Sequence, residues 1–183
     1  MDESTMLSQD ARTRIDREVA KYPADQRQSA VMSALAIAQD EHGWLSAEVM
    51  DAVARHLGMQ SVAVYEVASF YAMYNLAPTG RFKLTICTNL PCALQGAAAA
   101  AEHLKASLGV GFGETTSDLA FTLKEGECMG ACGDAPVLLV NNKRMCVKMA
   151  PPALDALVDE LRAAAGRGEG APLASVPDQT EQA

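Results

Sequence analysis

Four of the five cysteines in this chain form two closely spaced pairs, and thiols arranged in this way bind metal ions or carry out redox chemistry. Cys87 and Cys92 are separated by four residues, and Cys128 and Cys132 by three. Each pair follows a short apolar run typical of a β-strand, so both are expected in loops at strand ends. Two such loops can converge at one edge of a small sheet, which would bring the four thiols together.

Four thiolates, two on each of two tetrahedral irons, are what a 2Fe–2S cluster requires. The neighbouring residues suit this use. Gly126, Gly130 and Gly133 bracket the second pair and allow the backbone close to sulfur, while Pro91 and Pro136 stiffen the loops. Cys92 is expected at the N-terminal end of a helix, Ala93 to Leu108, whose free N–H groups would face the anionic cluster. The pattern predicts one 2Fe–2S cluster bound by Cys87, Cys92, Cys128 and Cys132.

Other roles for the thiols are possible at this point. A structural zinc site uses the same tetrahedral thiolates, although its cysteines are often separated by two residues. A thioredoxin-type dithiol requires a pair with two intervening residues, and the sequence has none. Cys146, flanked by Met145 and Val147, is interpreted as a small buried hydrophobe.

Two further features have little chemical meaning here. The three histidines lie on predicted helices or at their ends, away from the cysteine loops, and are interpreted as surface or capping residues: His42, His56 and His103. The glycine-rich stretch from Gly109 to Gly113 follows a helix and opens none, so it is a connector and not a dinucleotide-binding turn. We therefore expect this chain alone to have no dinucleotide site.

Composition limits the class of protein. The 183 residues are 49% hydrophobic and 21% charged, which is typical of a folded chain, and the net charge is −8. An acidic chain with no basic stripe is not expected to bind nucleic acid. No apolar run approaches the roughly 18–20 residues of a membrane span, and the acidic N-terminus is unlike a signal peptide. We therefore expect a cytoplasmic protein. In the reducing cytoplasm, cysteines serve as metal ligands or catalytic thiols more often than they form structural disulfides.

The first part of the chain, residues 1–77, is predicted to be a helical domain with a disordered start. Ile15 and Val19 mark a short amphipathic helix, and a second is expected to start at Pro23 and to end at Gly43. Ser46 and Gly58 are expected to cap a third helix. Ser61 would open a fourth, which carries four core-forming side chains: Val67, Phe70, Tyr71 and Tyr74.

After a break at Pro78-Thr79-Gly80 the hydrophobic period changes from helical to alternating. Residues 81–165 are predicted to form an α/β domain: a strand before Cys87, the helix Ala93 to Leu108, a strand near Ala120–Leu123, a hairpin around Asn141-Asn142 and a final helix from Pro152. Residues 166–183 have the composition of a disordered tail. The expected fold class is α+β.

Three segments carry a family resemblance. They are Ile86 to Cys92 (ICTNLPC), Gly113 to Thr116 (GETT) and Glu127 to Pro136 (ECMGACGDAP). Together they resemble the thioredoxin-like 2Fe–2S ferredoxins, and within them the branch that forms the small flavoprotein-fragment subunit of bacterial respiratory NADH:quinone oxidoreductase (complex I). The helical segments His42 to Leu45 and Val64 to Tyr71 are also similar to that family.

The resemblance implies an N-terminal helical bundle joined to a thioredoxin-like domain that carries the cluster on the same four cysteines. It also implies partners: a larger flavoprotein subunit that binds FMN and NADH, and a neighbouring iron–sulfur subunit. This chain would accept or buffer an electron from the flavin in the peripheral arm of a membrane-bound complex, on its cytoplasmic side, without carrying out hydride transfer.

Two other functions are consistent with the sequence. Similar modules serve NAD-linked formate dehydrogenases and the diaphorase part of soluble hydrogenases. A zinc-stabilised scaffold without redox activity is the alternative from a different class.

Overall fold

The computed structural model describes residues 6–173, and within them the chain divides between Pro78 and Thr79 into two compact units. The first unit is helical. Its helices are α1 (Gln9–Val19), α2 (Val31–His42), α3 (Ala47–Leu57) and α4 (Ser61–Phe70), with a 3₁₀ turn at Arg27–Ala30. The core between them contains Ile15, Leu35, Val53 and Val64, all fully buried.

Local sequence signals account for most of these helix ends. Ser8 Oγ accepts a hydrogen bond from Ala11 N–H at the start of α1, and Ser46 Oγ accepts one from Val49 N–H at the start of α3. Gly43 and Gly58 end α2 and α3 in left-handed conformations, as predicted. The prediction that the second helix starts at Pro23 was wrong. The chain makes turns from Pro23, and α2 begins only at Val31.

The segment after α4 is fixed to α2 by polar contacts. Gln39 accepts a hydrogen bond from Asn75 N–H at 2.6 Å and donates one to the Met73 carbonyl at 3.2 Å. The Tyr74 hydroxyl donates to the Met32 carbonyl at 2.8 Å, and burial raises the pKa of this phenol to about 12. Tyr74 is therefore a core residue, whereas Phe70 is largely exposed.

The second unit contains a four-stranded mixed sheet. Its elements are β1 (Phe82–Cys87), α5 (Leu90–Ala93), α6 (Ala97–Leu108), β2 (Phe121–Gly126), β3 (Leu138–Val140), β4 (Arg144–Cys146) and α7 (Pro151–Gly166). The strand order is β2-β1-β3-β4. β1 pairs parallel with β2 and antiparallel with β3, and β3 pairs antiparallel with β4. The prediction of an α+β fold is confirmed.

Helices α6 and α7 cover one face of this sheet. Leu84, Ile86 and Phe121 from the strands form one core with Leu104 of α6 and Leu154 of α7, and all five are fully buried. The hairpin turn is at Asn141 and Asn142, both with positive φ, as their side chains predicted.

Two expectations for this unit differ from the structure. The single helix Ala93 to Leu108 is interrupted, because Gly96 adopts a positive φ between α5 and α6. The tail expected from residue 166 is ordered at its start: Ala171 N–H donates to the Arg81 carbonyl at 2.8 Å, and Arg81 donates to the Gly168 carbonyl at 3.2 Å. Composition indicated disorder, but these backbone groups find partners at the start of β1. Residues 174–183 lie outside the described part of the chain.

Candidate metal centre

The register of the two parallel strands brings the cysteine loops together. β1 ends at Cys87 and β2 at Gly126, and these two residues are directly paired. Because the strands run parallel, the loops that follow them leave the sheet at the same edge. Thr88 N–H donates to the Gly126 carbonyl at 3.2 Å, and Cys87 N–H donates to the Val137 carbonyl at 3.0 Å.

The first cysteine pair is buried. Cys87 is 1% exposed and Cys92 is 2% exposed, and both pack with Ala97 and Val137. Cys92 lies on α5, a single helical turn whose first N–H, that of Leu90, donates to the Asn89 side chain at 3.0 Å. The expected position of Cys92 at the start of the long helix was therefore wrong, and the dipole of that helix gives no argument for this thiol.

The second cysteine pair lies at the surface. Cys128 is exposed and Cys132 is half-buried. Gly130 has a positive φ, and its N–H donates to Cys128 Sγ at 3.4 Å. Cys132 begins a 3₁₀ turn that ends at Asp134.

The thiols interact as two pairs that also influence each other. Burial raises the pKa of Cys92 to about 11, with further contributions from Cys87, Cys132 and Cys128 in that order. The pKa of Cys132 is raised mainly by a hydrogen bond with Cys128, and Cys87 contributes as well. All four predicted ligands therefore lie within electrostatic range of one another.

This arrangement fits a binuclear iron site. The sulfurs are associated two by two, Cys92 with Cys87 and Cys132 with Cys128. Each iron of a 2Fe–2S cluster takes two thiolates. Metal ligands must be deprotonated, so binding of a cationic centre would offset the raised pKa of Cys92.

Cys146 is not part of the site. It pairs with Leu138 in the sheet and belongs to the core between the sheet and helices α6 and α7. Burial raises the pKa of its thiol. The interpretation of Cys146 as a small buried hydrophobe agrees with this position.

Three acids lie beside the second cysteine pair, and each has a partner that the sequence analysis did not identify. Glu125 accepts a hydrogen bond from the Thr88 hydroxyl at 2.7 Å, and Glu127 accepts one from the Asn89 amide at 3.1 Å. Lys148 Nζ lies 3.6 Å from Asp134. The contact partners come from distant parts of the chain, so the spacing of residues provided no signal for them.

The histidines have local partners away from the thiols. His42 contacts the Met6 carbonyl, His56 contacts Asp16, and His103 on α6 contacts Asp155 on α7. All three histidines are half-buried, and these partners include none of the cysteines.

The mixed sheet with helices and the paired thiols define the class of this protein. The family model for the thioredoxin-like [2Fe-2S] ferredoxin matches residues 15–162, and the chain belongs to this family. The resemblance found in the sequence is confirmed, and the cofactor implied by the family is one 2Fe–2S cluster.

Two relatives are similar to this chain over most of its length. The chain is 46% identical over 84% of its length to an NADH-quinone oxidoreductase subunit of Rhizobium meliloti, covering 89% of that protein. It is 38% identical over 81% of its length to "NADH-quinone oxidoreductase subunit 2" of Thermus thermophilus, covering 82% of it. These matches support the assignment of the chain to an oxidoreductase complex as a subunit that carries a 2Fe–2S cluster.

A solved structure shares the fold. A chain of an NAD⁺-reducing [NiFe]-hydrogenase is matched with a TM-score of 0.64 at 23% identity, over 73% of this chain. This chain spans only 22% of the length of that hydrogenase chain. In the part that the structure describes, every helix is too short or too polar to cross a bilayer.

Proposed function

We propose that this chain is the electron-transfer subunit that works beside the NADH- and FMN-binding flavoprotein subunit of NADH:quinone oxidoreductase. The observation that carries the proposal is the convergence of two thiol pairs at the common end of β1 and β2, with one pair at the surface. The names of relatives at 38–46% identity favour this complex over a formate dehydrogenase or a hydrogenase.

In this proposal Cys87, Cys92, Cys128 and Cys132 hold one 2Fe–2S cluster. When bound, the cluster supplies one-electron redox chemistry. The buried pair anchors it within the fold, and Gly130 N–H donates to a surface sulfur. FMN and NADH would be bound by the larger partner, so the residues of this chain take no part in hydride transfer.

The expected setting of the subunit follows from the same proposal. A second iron–sulfur subunit would be its other neighbour, and the assembly would form the peripheral arm of a membrane-bound complex on its cytoplasmic side. The exposed side chains of Leu90 and Leu94, which flank Cys92 on the helical turn, are available for contact with a partner.

The metal content of the purified protein tests the first part of the proposal. We expect a reddish-brown protein with about two irons per chain, as a 2Fe–2S cluster requires. Iron, inorganic sulfide and zinc should be measured on the same sample. A colourless protein with stoichiometric zinc would contradict the proposal and would favour the scaffold.

Anaerobic mixing with NADH tests whether reduction of the cluster by NADH requires the flavoprotein subunit. We expect the 2Fe–2S absorbance to stay unchanged with NADH alone, to bleach when the flavoprotein subunit is added, and to bleach with dithionite as the control. Bleaching by NADH without the partner would reveal a nicotinamide site on this chain. A dithionite-reducible cluster that NADH and the flavoprotein leave oxidised would show that its midpoint potential is too low for NADH to reduce it at equilibrium.

A further inference from the structure

Two side-chain bridges connect the cysteine loops. The Thr88 hydroxyl donates to Glu125 Oε1 at 2.7 Å, and Asn89 Nδ2 donates to Glu127 Oε2 at 3.1 Å. We call these four residues the inter-loop clasp. Thr88 and Asn89 belong to the loop of the first thiol pair, and Glu125 and Glu127 lie at the end of β2, just before the second pair.

Each bridge is attached next to a proposed ligand. Thr88 directly follows Cys87, and Glu127 directly precedes Cys128. Asn89 uses both ends of its amide: Oδ1 accepts from Leu90 N–H at 3.0 Å, which fixes the turn that carries Cys92, and Nδ2 donates across to Glu127. The Asn89 side chain therefore links the position of Cys92 to that of Cys128.

We propose that the inter-loop clasp is a positioning device that holds the two thiol pairs face to face before iron binds. This inference rests on the proposed ligand set. The second loop contains Gly130 and Gly133, whose backbone freedom would let the distance between the two thiol pairs vary unless side-chain contacts restrain it. In addition to the clasp, a backbone hydrogen bond from Thr88 N–H to the Gly126 carbonyl connects the two loops. Hydrogen bonds that orient metal ligands are the usual means of such preorganisation.

The exposure of the clasp predicts where its effect will be seen. Glu125 and Glu127 are exposed, and Thr88 and Asn89 are half-buried. Bonds at the surface contribute little to the free energy of unfolding because water competes for both partners. Breaking a bridge should therefore change cluster retention and leave the melting temperature of the protein almost unchanged. A residue that merely supported the fold would change both.

The Asn89–Glu127 bridge allows a swap experiment. Asn89→Asp keeps an oxygen to cap Leu90 but removes the donor to Glu127, so we expect iron loss to a chelator about tenfold faster. Glu127→Gln keeps an acceptor for Asn89 and should retain iron as the wild type does. In the double variant, the new carboxylate at position 89 accepts from the new amide at position 127, which restores the bridge with its donor and acceptor exchanged. We expect retention within about twofold of the wild type.

Two further variants complete the design. Thr88→Val is nearly isosteric and removes only the donor to Glu125, so it should also speed iron loss. Gln95→Glu adds one negative charge at an exposed site near the loops and controls for charge alone. For every variant, the anaerobic rate of iron loss, the melting temperature and the electron paramagnetic resonance spectrum of the reduced cluster should be recorded.

The outcomes separate the two proposals. Wild-type protein that contains no iron–sulfur cluster would contradict the proposed function. If the wild type contains the cluster, iron loss from Asn89→Asp at the wild-type rate would overturn the clasp. Failure of the double variant to recover, or equally fast loss from Gln95→Glu, would also overturn it. Recovery in the double variant with unchanged melting temperatures supports it.

Discussion

The two cysteine loops of this protein differ in almost every physical respect. The loop from Cys87 to Cys92 starts at the end of a central strand, ends in a capped helical turn and has both thiols buried among apolar side chains. The loop from Cys128 to Cys132 contains glycine, has an exposed thiol and has acids close to both cysteines. The fold holds the first pair in place by burial, whereas the second depends on hydrogen bonds at the surface.

This difference suggests separate tasks for the loops. Buried thiols are protected from solvent and are held by the core. Surface thiols are where a partner protein, a chelator or an oxidant arrives first. We therefore expect a thiol from solvent to replace a lost ligand in the second loop but not a lost ligand in the first.

Ligand substitution should give the largest effect and is the strongest test of this contrast. Serine at Cys92 or Cys128 should bleach the protein, because a hydroxyl replaces a thiolate poorly. A small exogenous thiol should restore part of the absorbance of Cys128→Ser, since that position is open to solvent, and none of that of Cys92→Ser. Cys146→Ser is the control and should stay coloured. Equal rescue at both positions would remove the distinction between the loops.

A methyl group at Gly126 should destabilise the protein where β2 meets the second loop. A Cβ there would lie 2.7 Å from Thr85 Cγ2 and 2.8 Å from Met129 Cε. We expect Gly126→Ala to lower the free energy of unfolding by about 1–3 kcal/mol. Gly133→Ala is the matched control, because no neighbouring atom lies within 4 Å of its Cβ position. Urea unfolding of both variants measures this; equal stability would mean that Met129 moves aside without penalty.

Strand β1, which leads to the first loop, contains a buried amine whose contribution to the free energy of unfolding depends on pH. Lys83 is 2% exposed, and burial, with a smaller contribution from Lys124, lowers its pKa from 10.5 to about 8. Between these values the unfolded chain holds a proton that the folded chain does not, so this group makes the fold more stable as pH rises. The free energy of unfolding of Lys83→Met minus that of the wild type should therefore fall by about 2–3 kcal/mol from pH 7 to pH 10.

Urea unfolding at several pH values checks this expectation. Lys105→Met, which removes a partly exposed lysine on α6, is the control for the loss of a lysine that is not buried. A difference between Lys83→Met and the wild type that does not change with pH would show that Lys83 keeps its proton in the fold.

The smallest expected effect concerns the acids beside the second loop. Negative charge disfavours adding an electron to an anionic centre, so Glu127→Gln should raise the midpoint potential by roughly 20–50 mV. Asp134→Asn should raise it less, because Lys148 already offsets part of that charge. Glu102→Gln on α6, where Lys105 is the partner, is the control. Spectroscopic redox titration gives these values, and an unchanged or lower potential in both loop variants would contradict the argument.

Much of this structure could be predicted because the signals were local. Ser46 and Gly58 cap α3 through atoms within one turn, and the alternation from Phe82 to Ile86 reflects the two faces of β1. The paired asparagines identified the hairpin for the same reason. The four cysteines could be proposed as ligands from type and spacing alone.

The remaining features depend on contacts that distant residues make. Gly96 breaks a helix that alanine propensity favoured, and the stretch after Pro23 turns before α2 forms. The inter-loop clasp exists only because Cys87 is paired with Gly126, and one residue of slip would separate Asn89 from Glu127. Register of this kind is set by the packed sheet and is not encoded in any single segment.

The strand order of the sheet also determines when the site can exist during synthesis. β1 is paired with strands that come later in the chain, and Cys128 follows Cys92 by 36 positions. At elongation rates of about 5–20 residues per second, the first thiol pair is made roughly 2–7 s before the second. During most of that interval β1 has neither β2 nor β3 beside it. Assembly of the complete metal centre must therefore wait until the second thiol pair has been translated.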